Sequence, residues 1–137
     1  MKDQSSKNTT QHTFSPFTIA GFVRKHKGRG KKLGFPTANI EIPLDLPEGL
    51  FLGYAKTKDQ KLPALIFIGP PLTFNEIDKK AEIYILNYDK ELYDQFIEAE
   101  IVEKLRDNIK FASKEDLIKQ MEKDEIQAKK YFKLLTT

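Results

Sequence analysis

The chain has no cysteine. That removes disulfides, thiolate nucleophiles and thiolate metal ligands together. Histidine is scarce: only His12 and His26 occur, in a polar leader and a basic segment, and neither is placed as an obvious catalytic base. No apolar run approaches the roughly 20 residues that a membrane-spanning helix needs. The opening MKDQSSKNTTQHT lacks the apolar stretch of a secretory signal. A cytoplasmic protein with no membrane partner is the simplest expectation.

What the chain does contain is aromatic and basic. Ten Phe and five Tyr supply much of a hydrophobic content of 39%. At 137 residues the chain is sized for one domain with a substantial core. The net charge of +3 conceals an asymmetry: eight of the 23 Lys and Arg lie within residues 1–32, opposed there only by Asp3. Arg24, Lys25, Lys27, Arg29, Lys31 and Lys32 form a local basic cluster. Such a cluster attracts phosphates, nucleotides or nucleic acid, or is simply a solvated loop.

Residues 1–16 are polar and aperiodic and are expected to be a disordered leader, with one domain over 17–137. Short apolar segments then alternate with turns. Strands are predicted at Phe17–Val23, Asn39–Ile42, Leu50–Thr57, Leu62–Ile68, Glu82–Tyr88 and Glu98–Val102. Residues 75–80 (NEIDKK) read as a polar loop. The period changes near the C-terminus. Ser113 stands as an N-cap with Asp116 three residues on, and Leu117, Ile118, Met121, Ala128 and Phe132 recur at helical spacing. Strands followed by one helix, without βαβ alternation, point to an antiparallel sheet or barrel capped by a helix.

The segment GRGKKLGFPTANI, residues 28–40, carries the most chemistry. Glycine backbone can approach phosphate oxygens closely and offer N–H groups. Pro36 fixes its own φ and restricts Phe35, so Thr37 and Asn39 are held in defined positions. If this part is extended, the two side chains share a side. A hydroxyl and an amide carbonyl are hard oxygen donors suited to Mg²⁺. Alternatively, the segment is a turn with an Asn bonded to its own backbone. Among the acids, Glu82 stands apart because it opens an apolar alternation between Ala81 and Ile83. It is either a base or an ordinary exposed carboxylate.

Taken in order, these segments resemble the riboflavin kinase family over about residues 19–133. The stretch 28–40 looks like the family's glycine-rich loop and its Pro-Thr-Ala-Asn signature. IGPPLTF at 68–74 resembles a degraded form of Ile-Gly-x-x-Pro-Thr-Phe-Gly. EIYILNYDKELYD at 82–94 is similar to the segment that carries the family's Glu-x-His. KLRDNIKFASKEDLIKQMEKD at 104–124 resembles the Leu-Arg…Phe stretch and the following helix.

The resemblance implies a six-stranded antiparallel Greek-key barrel with a C-terminal helix. It implies transfer of the ATP γ-phosphate to the riboflavin 5′-hydroxyl, giving FMN and ADP, by a monomer with no nucleic-acid partner. By position, Gly28, Arg29, Gly30, Lys31, Gly34, Pro36, Thr37 and Asn39 would bind the nucleotide. Thr37 and Asn39 would also ligate Mg²⁺, Glu82 would be the base, and Arg106, Asn108 and Phe111 would contact the flavin. In many bacteria an FMN adenylyltransferase domain precedes this kinase domain; with about sixteen residues before the first strand, a stand-alone kinase domain is expected here.

The chain departs from the family's pattern at His26, Phe67, Leu72, Asn75, Tyr84, Asn87, Asp94 and Asn108. Thr37, Asn39, Glu82 and Arg106 are all retained. Asp94 replaces a glycine, which matters if that position needs φ > 0. Two other readings remain: a flavin or nucleotide binder without catalysis on the same fold, and a small barrel that holds nucleic acid through its basic segment.

Overall fold

A computed structural model of the chain describes residues 14–24, 37–58, 60–70, 78–88, 90, 92 and 94–134. Six strands and one helix follow in order: β1 (Phe17–Phe22), β2 (Ala38–Pro43), β3 (Gly49–Lys56), β4 (Lys61–Ile68), β5 (Asp78–Ile85), β6 (Phe96–Arg106) and α1 (Lys114–Tyr131). The strands form one sheet in the order β1-β6-β3-β4-β5-β2, and every pairing is antiparallel. Strands β3, β4 and β5 are sequential neighbours, and β6 returns to lie beside β3, which is the Greek-key arrangement. Beyond the end of β1, the Arg24 N–H donates to the Asn39 carbonyl at 2.8 Å, bringing the two edges of the sheet together. The result is the nearly closed six-stranded barrel with a C-terminal helix that the sequence leads one to expect.

Strand parity sorts the side chains into two cores. Inward-facing Ile40, Ile42, Phe51, Ile66, Ile68, Ile83, Ile97 and Ile101 fill the barrel and are almost wholly removed from water. Phe17 packs edge-on against Phe51 at 5.8 Å, and Phe14 lies 6.0 Å from the same ring. Phe14 thus joins the barrel core from within the segment expected to be a leader; residues 1–13 of that segment lie outside the described residues. The second core lies on the outer face. Leu50, Leu52, Leu65 and Leu86 pack there with Ala128 of α1, joined by Phe67, Tyr84, Leu105 and Phe132. Both faces of β3 and β4 are therefore covered, and this is why their sequences read as continuous apolar runs rather than alternations.

Two strands differ from the sequence reading. β5 runs from Asp78 to Ile85, earlier than the expected 82–88, and it absorbs the end of the expected polar loop. Asp78, Lys79 and Lys80 are strand because they pair with Pro43, Ile42 and Glu41 of β2. Lys79 is only 3% exposed and reaches Glu48 at 3.3 Å, so a charged residue occupies an inward position by virtue of its partner. The strand stops before Asn87, whose φ of 57° is left-handed, a conformation asparagine tolerates. β6 is also longer than expected, at 11 residues, because it serves two partners: residues 96–101 pair with β1 while residues 98–106 pair with β3.

The helix forms as expected. Ser113 Oγ accepts the Asp116 N–H at 3.1 Å, Glu115 and Asp116 occupy the first turn, and Lys129 and Lys130 the last. Asp94 keeps a left-handed φ of 65°, so aspartate occupies the conformation that suits a glycine. Among the described residues, no helix is long and apolar enough to cross a membrane.

Candidate active site

Directly opposed residues on antiparallel strands share one face of a sheet. Here the register lines up Asn39 with Glu82, Glu82 with Phe67, Phe67 with Leu50, and Leu50 with Arg106. The inward positions flanking them (Ile40, Ile83, Ile66 and Phe51) belong to the barrel core. The row Asn39–Glu82–Phe67–Leu50–Arg106 therefore crosses the outer face of five strands. Two residues along each strand, on the same face, Tyr84 opposes Leu65 and Leu65 opposes Leu52.

Helix α1 covers part of this face and closes a narrow pocket of about 50 Å³. Leu50, Leu65, Phe67 and Met121 give it apolar walls; Thr37, Glu82, Tyr84, Arg106 and Asp124 give it polar ones. Thr37 and Glu82 come from the β2–β5 side. Arg106 and Asp124 come from β6 and the helix.

Each side has distinct chemistry. On the first, the Thr37 Oγ1 is buried and has no hydrogen-bond partner among the described residues, and Asn39 is 3% exposed. A buried hydroxyl oxygen with no partner is costly unless a ligand satisfies it. The donor set also fits a hard cation, since an oxygen ligand left open beside a carboxylate-bearing pocket matches what Mg²⁺ takes from a protein when phosphates supply other ligands. On the second side, Arg106 Nε and Nη2 donate to Asp124 Oδ1 and Oδ2 at 2.9 and 2.6 Å. Its Nη1 donates to the Asp107 carbonyl at 3.0 Å, and Gln120 Nε2 donates to Asp124 Oδ1 at 2.9 Å. This two-pronged ion pair is largely shielded, with side-chain exposures of 15% and 4%.

Between the two sides, the Tyr84 hydroxyl donates to Glu125 Oε2 at 2.6 Å. Burial, with the Glu125 carboxylate adding to it, pushes the Tyr84 hydroxyl well above the usual phenol range, so it remains a protonated donor. Glu125 also pairs with Lys129 at 3.5 Å.

Of the residues singled out from sequence, the fold brings Thr37, Glu82 and Arg106 into the pocket wall and sets Asn39 directly beside Glu82. Asn108 and Phe111 lie outside the lining; Asn108 Nδ2 instead donates to the Ile68 carbonyl at 3.2 Å. Gly28, Arg29, Gly30, Lys31, Gly34 and Pro36, with His26, Leu72 and Asn75, lie outside the described residues. Sequence reasoning did not single out Asp124 or Met121. One signal was present: Asp124 falls three residues after Met121 and four before Ala128, an acid on the apolar stripe of the helix.

A model of the family described as riboflavin kinase, also called flavokinase, matches residues 13–132. The chain belongs to the riboflavin kinase family. It is 35% identical over 119 residues to the RNA-binding riboflavin kinase RibR of Bacillus subtilis, covering 85% of this chain and 52% of that one. It is 30% identical over 122 residues to the bifunctional riboflavin kinase/FMN adenylyltransferase of Escherichia coli, covering 87% and 39%. The chain thus spans about half the length, or less, of these curated relatives. The crystal structure of riboflavin kinase from Trypanosoma brucei superposes with a TM-score of 0.65 at 20% identity, covering 88% of this chain and 82% of that one, which is a likeness of fold.

Proposed function

We propose that this chain is an ATP-dependent riboflavin kinase that converts riboflavin to FMN. The observation that carries the reading is the position of Glu82. It stands in register between Asn39 and Phe67, so its carboxylate lies between a buried oxygen-donor pair and an apolar pocket. Leu50, Leu65, Phe67 and Met121 offer apolar surface for a flat tricyclic ring to pack against once the narrow pocket widens, and a ribityl chain leaving it would run toward Glu82 and Thr37.

In the proposed reaction the 5′-hydroxyl oxygen attacks the γ-phosphorus, the bond from that phosphorus to the bridging oxygen of ADP breaks, and Glu82 takes the hydroxyl proton. Thr37 and Asn39 would hold Mg²⁺ together with the phosphates; that ion, when bound, neutralises phosphate charge. The rest of the nucleotide is assigned to Gly28, Arg29, Gly30, Lys31, Gly34 and Pro36 on their sequence pattern. Arg106 would contact flavin with the part of its guanidinium fork that Asp124 leaves free. Asn108 and Phe111 lie outside the pocket lining, and their assignment to the flavin rests on sequence pattern alone. Riboflavin and ATP are the partners of this reading, with the chain acting as a cytoplasmic monomer.

The test is chromatographic detection of FMN after incubation with riboflavin and Mg-ATP. FMN should form, and Glu82→Gln should lower turnover at least a hundredfold, the usual scale of a lost general base. A Glu82→Gln protein with undiminished turnover would show that another group takes the proton. A folded protein that binds riboflavin and ATP yet forms no FMN would favour the binder without catalysis.

A further inference from the structure

Helix α1 is fastened over the pocket by two polar contacts made from neighbouring helix residues to strands on opposite sides. Asp124 holds Arg106 of β6, and Glu125 holds Tyr84 of β5. The pocket lies between those strands, and Met121, one turn before Asp124, faces into it. The deepest apolar anchor is in the helix's second half: Ala128 is the fully buried apolar residue of α1, and Phe132 just beyond packs on Tyr54 at 5.2 Å, whereas Leu117, Ile118 and Met121 of the first half are only half-buried. Nothing in the turns from Lys114 to Gln120 is fully buried. The contacts at 124 and 125 are therefore the polar fastenings of the helix nearest the pocket, added to the partial apolar packing of Leu117, Ile118 and Met121.

We propose that the Tyr84–Glu125 hydrogen bond is a latch that positions α1 over the pocket and so sets how tightly the flavin ring is held. This inference rests on the reading of the pocket as a flavin site. Glu125 is a positioning residue: it does not line the pocket, and it reaches it only through Tyr84. The hydroxyl at the far end of the Tyr84 ring is what reaches Glu125. The other anchor, Arg106–Asp124, is shielded and two-pronged, whereas the Tyr84–Glu125 contact is a single bond. It is the contact whose loss lets one side of the helix lift while the other stays fixed.

The experiment is titration of riboflavin with the purified full chain, read by quenching of flavin fluorescence, beside steady-state kinetics. Glu125→Ala should weaken riboflavin binding about tenfold, the size of one hydrogen bond to a charged group. It should raise the riboflavin KM in proportion while leaving kcat and the ATP KM in place. Glu125→Gln keeps an acceptor for the tyrosine hydroxyl and should bind within about twofold of the unmodified chain. Lys129→Ala removes the other partner of Glu125 and should change little. Tyr84→Phe combined with Glu125→Ala should be no weaker than the weaker single variant, because both break the same bond. Unchanged affinity in Glu125→Ala, or losses that add in the double variant, would overturn the latch and leave the flavin reading standing. An unmodified chain that binds no riboflavin would overturn that reading, and the latch with it.

Discussion

Removing the Asp124 carboxylate is the most searching perturbation of this site, because it tests packing and function together. Asp124 sits with 4% of its side chain exposed and receives three hydrogen bonds, two from Arg106 and one from Gln120. Breaking a buried ion pair by deleting one partner costs roughly 3–5 kcal/mol, since the other charge is left without compensation. In Asp124→Ala the stranded group is Arg106, which keeps 15% exposure and the Asp107 carbonyl, so the loss should fall near 3 kcal/mol. In Arg106→Ala the stranded group is the more deeply buried carboxylate, and the loss should approach 4 kcal/mol. For a chain of this size each kcal/mol lowers the melting temperature by about 3–4 °C, so both variants should melt roughly 10–15 °C early. Replacing both residues, Arg106→Met with Asp124→Leu, should restore most of the stability, because no charge is left buried. The assays are thermal and urea unfolding, followed by separate titrations with riboflavin and ATP. Riboflavin binding should suffer more than ATP binding, since Arg106 and the helix wall the apolar side of the pocket. Single-variant losses below about 1 kcal/mol, the scale of an exposed pair, would refute the claim that this contact fastens the helix.

Thr37→Ala should make nucleotide binding less dependent on Mg²⁺ by removing the orphaned oxygen; an unchanged Mg²⁺ titration would take Thr37 out of the metal site. Alkaline stability should report Tyr84. Its folded-state pKa is raised above the ordinary value of 10.0, so its contribution is complete below about pH 10 and is lost as pH climbs through the folded value. Tyr131, raised by burial and by Glu103, acts in the same direction, so Tyr84→Phe should flatten the decline without abolishing it; an unaltered profile would refute the assignment. At Gly53 an added Cβ would overlap the Glu100 carbonyl oxygen where β3 and β6 shift register, whereas at Gly21 it would meet Ile40 at an ordinary 3.4 Å. Gly53→Ala should therefore cost at least about 2 kcal/mol in urea unfolding and Gly21→Ala less than about 1 kcal/mol. Equal losses would contradict that packing.

What could be read from the sequence was whatever depends on local pattern. Ser113 and Asp116 announced the start of the helix, and the alternation around Ile83 and Ile85 announced β5 and put Glu82 on the opposite face from the core. What could not be read depends on partners far away in the chain. Asp78–Lys80 look like loop until β2 is seen to pair with them, and Lys79 looks exposed until Glu48 is found beside it. The same holds in the site. Thr37 and Glu82 are identifiable by their neighbours, but the sequence offers no sign that Asp124 takes the Arg106 fork, because that contact spans 18 residues and two elements.

The site owes its position to residues that never touch it. In β5, Ala81, Ile83 and Ile85 belong to the barrel interior, and a one-residue slip would turn Glu82 into that dry space and Ile83 out of it. An unpaired carboxylate among Ile40, Ile66 and Ile68 would lose its ionised form, and with it the capacity to take a proton. The same parity argument fixes Asn39 between Ala38 and Ile40, and Phe67 between Ile66 and Ile68. Because the barrel interior is filled by isoleucines among the described residues, the row from Asn39 to Arg106 must present its polar groups on the outer face, under a helix. That face would be too wet for a charge-sensitive transfer if it were bare. The leucines of the second core and the helix residues from Met121 to Ala128 make it a partly dry pocket, so α1 shapes the candidate site as much as the strand that carries Glu82 does.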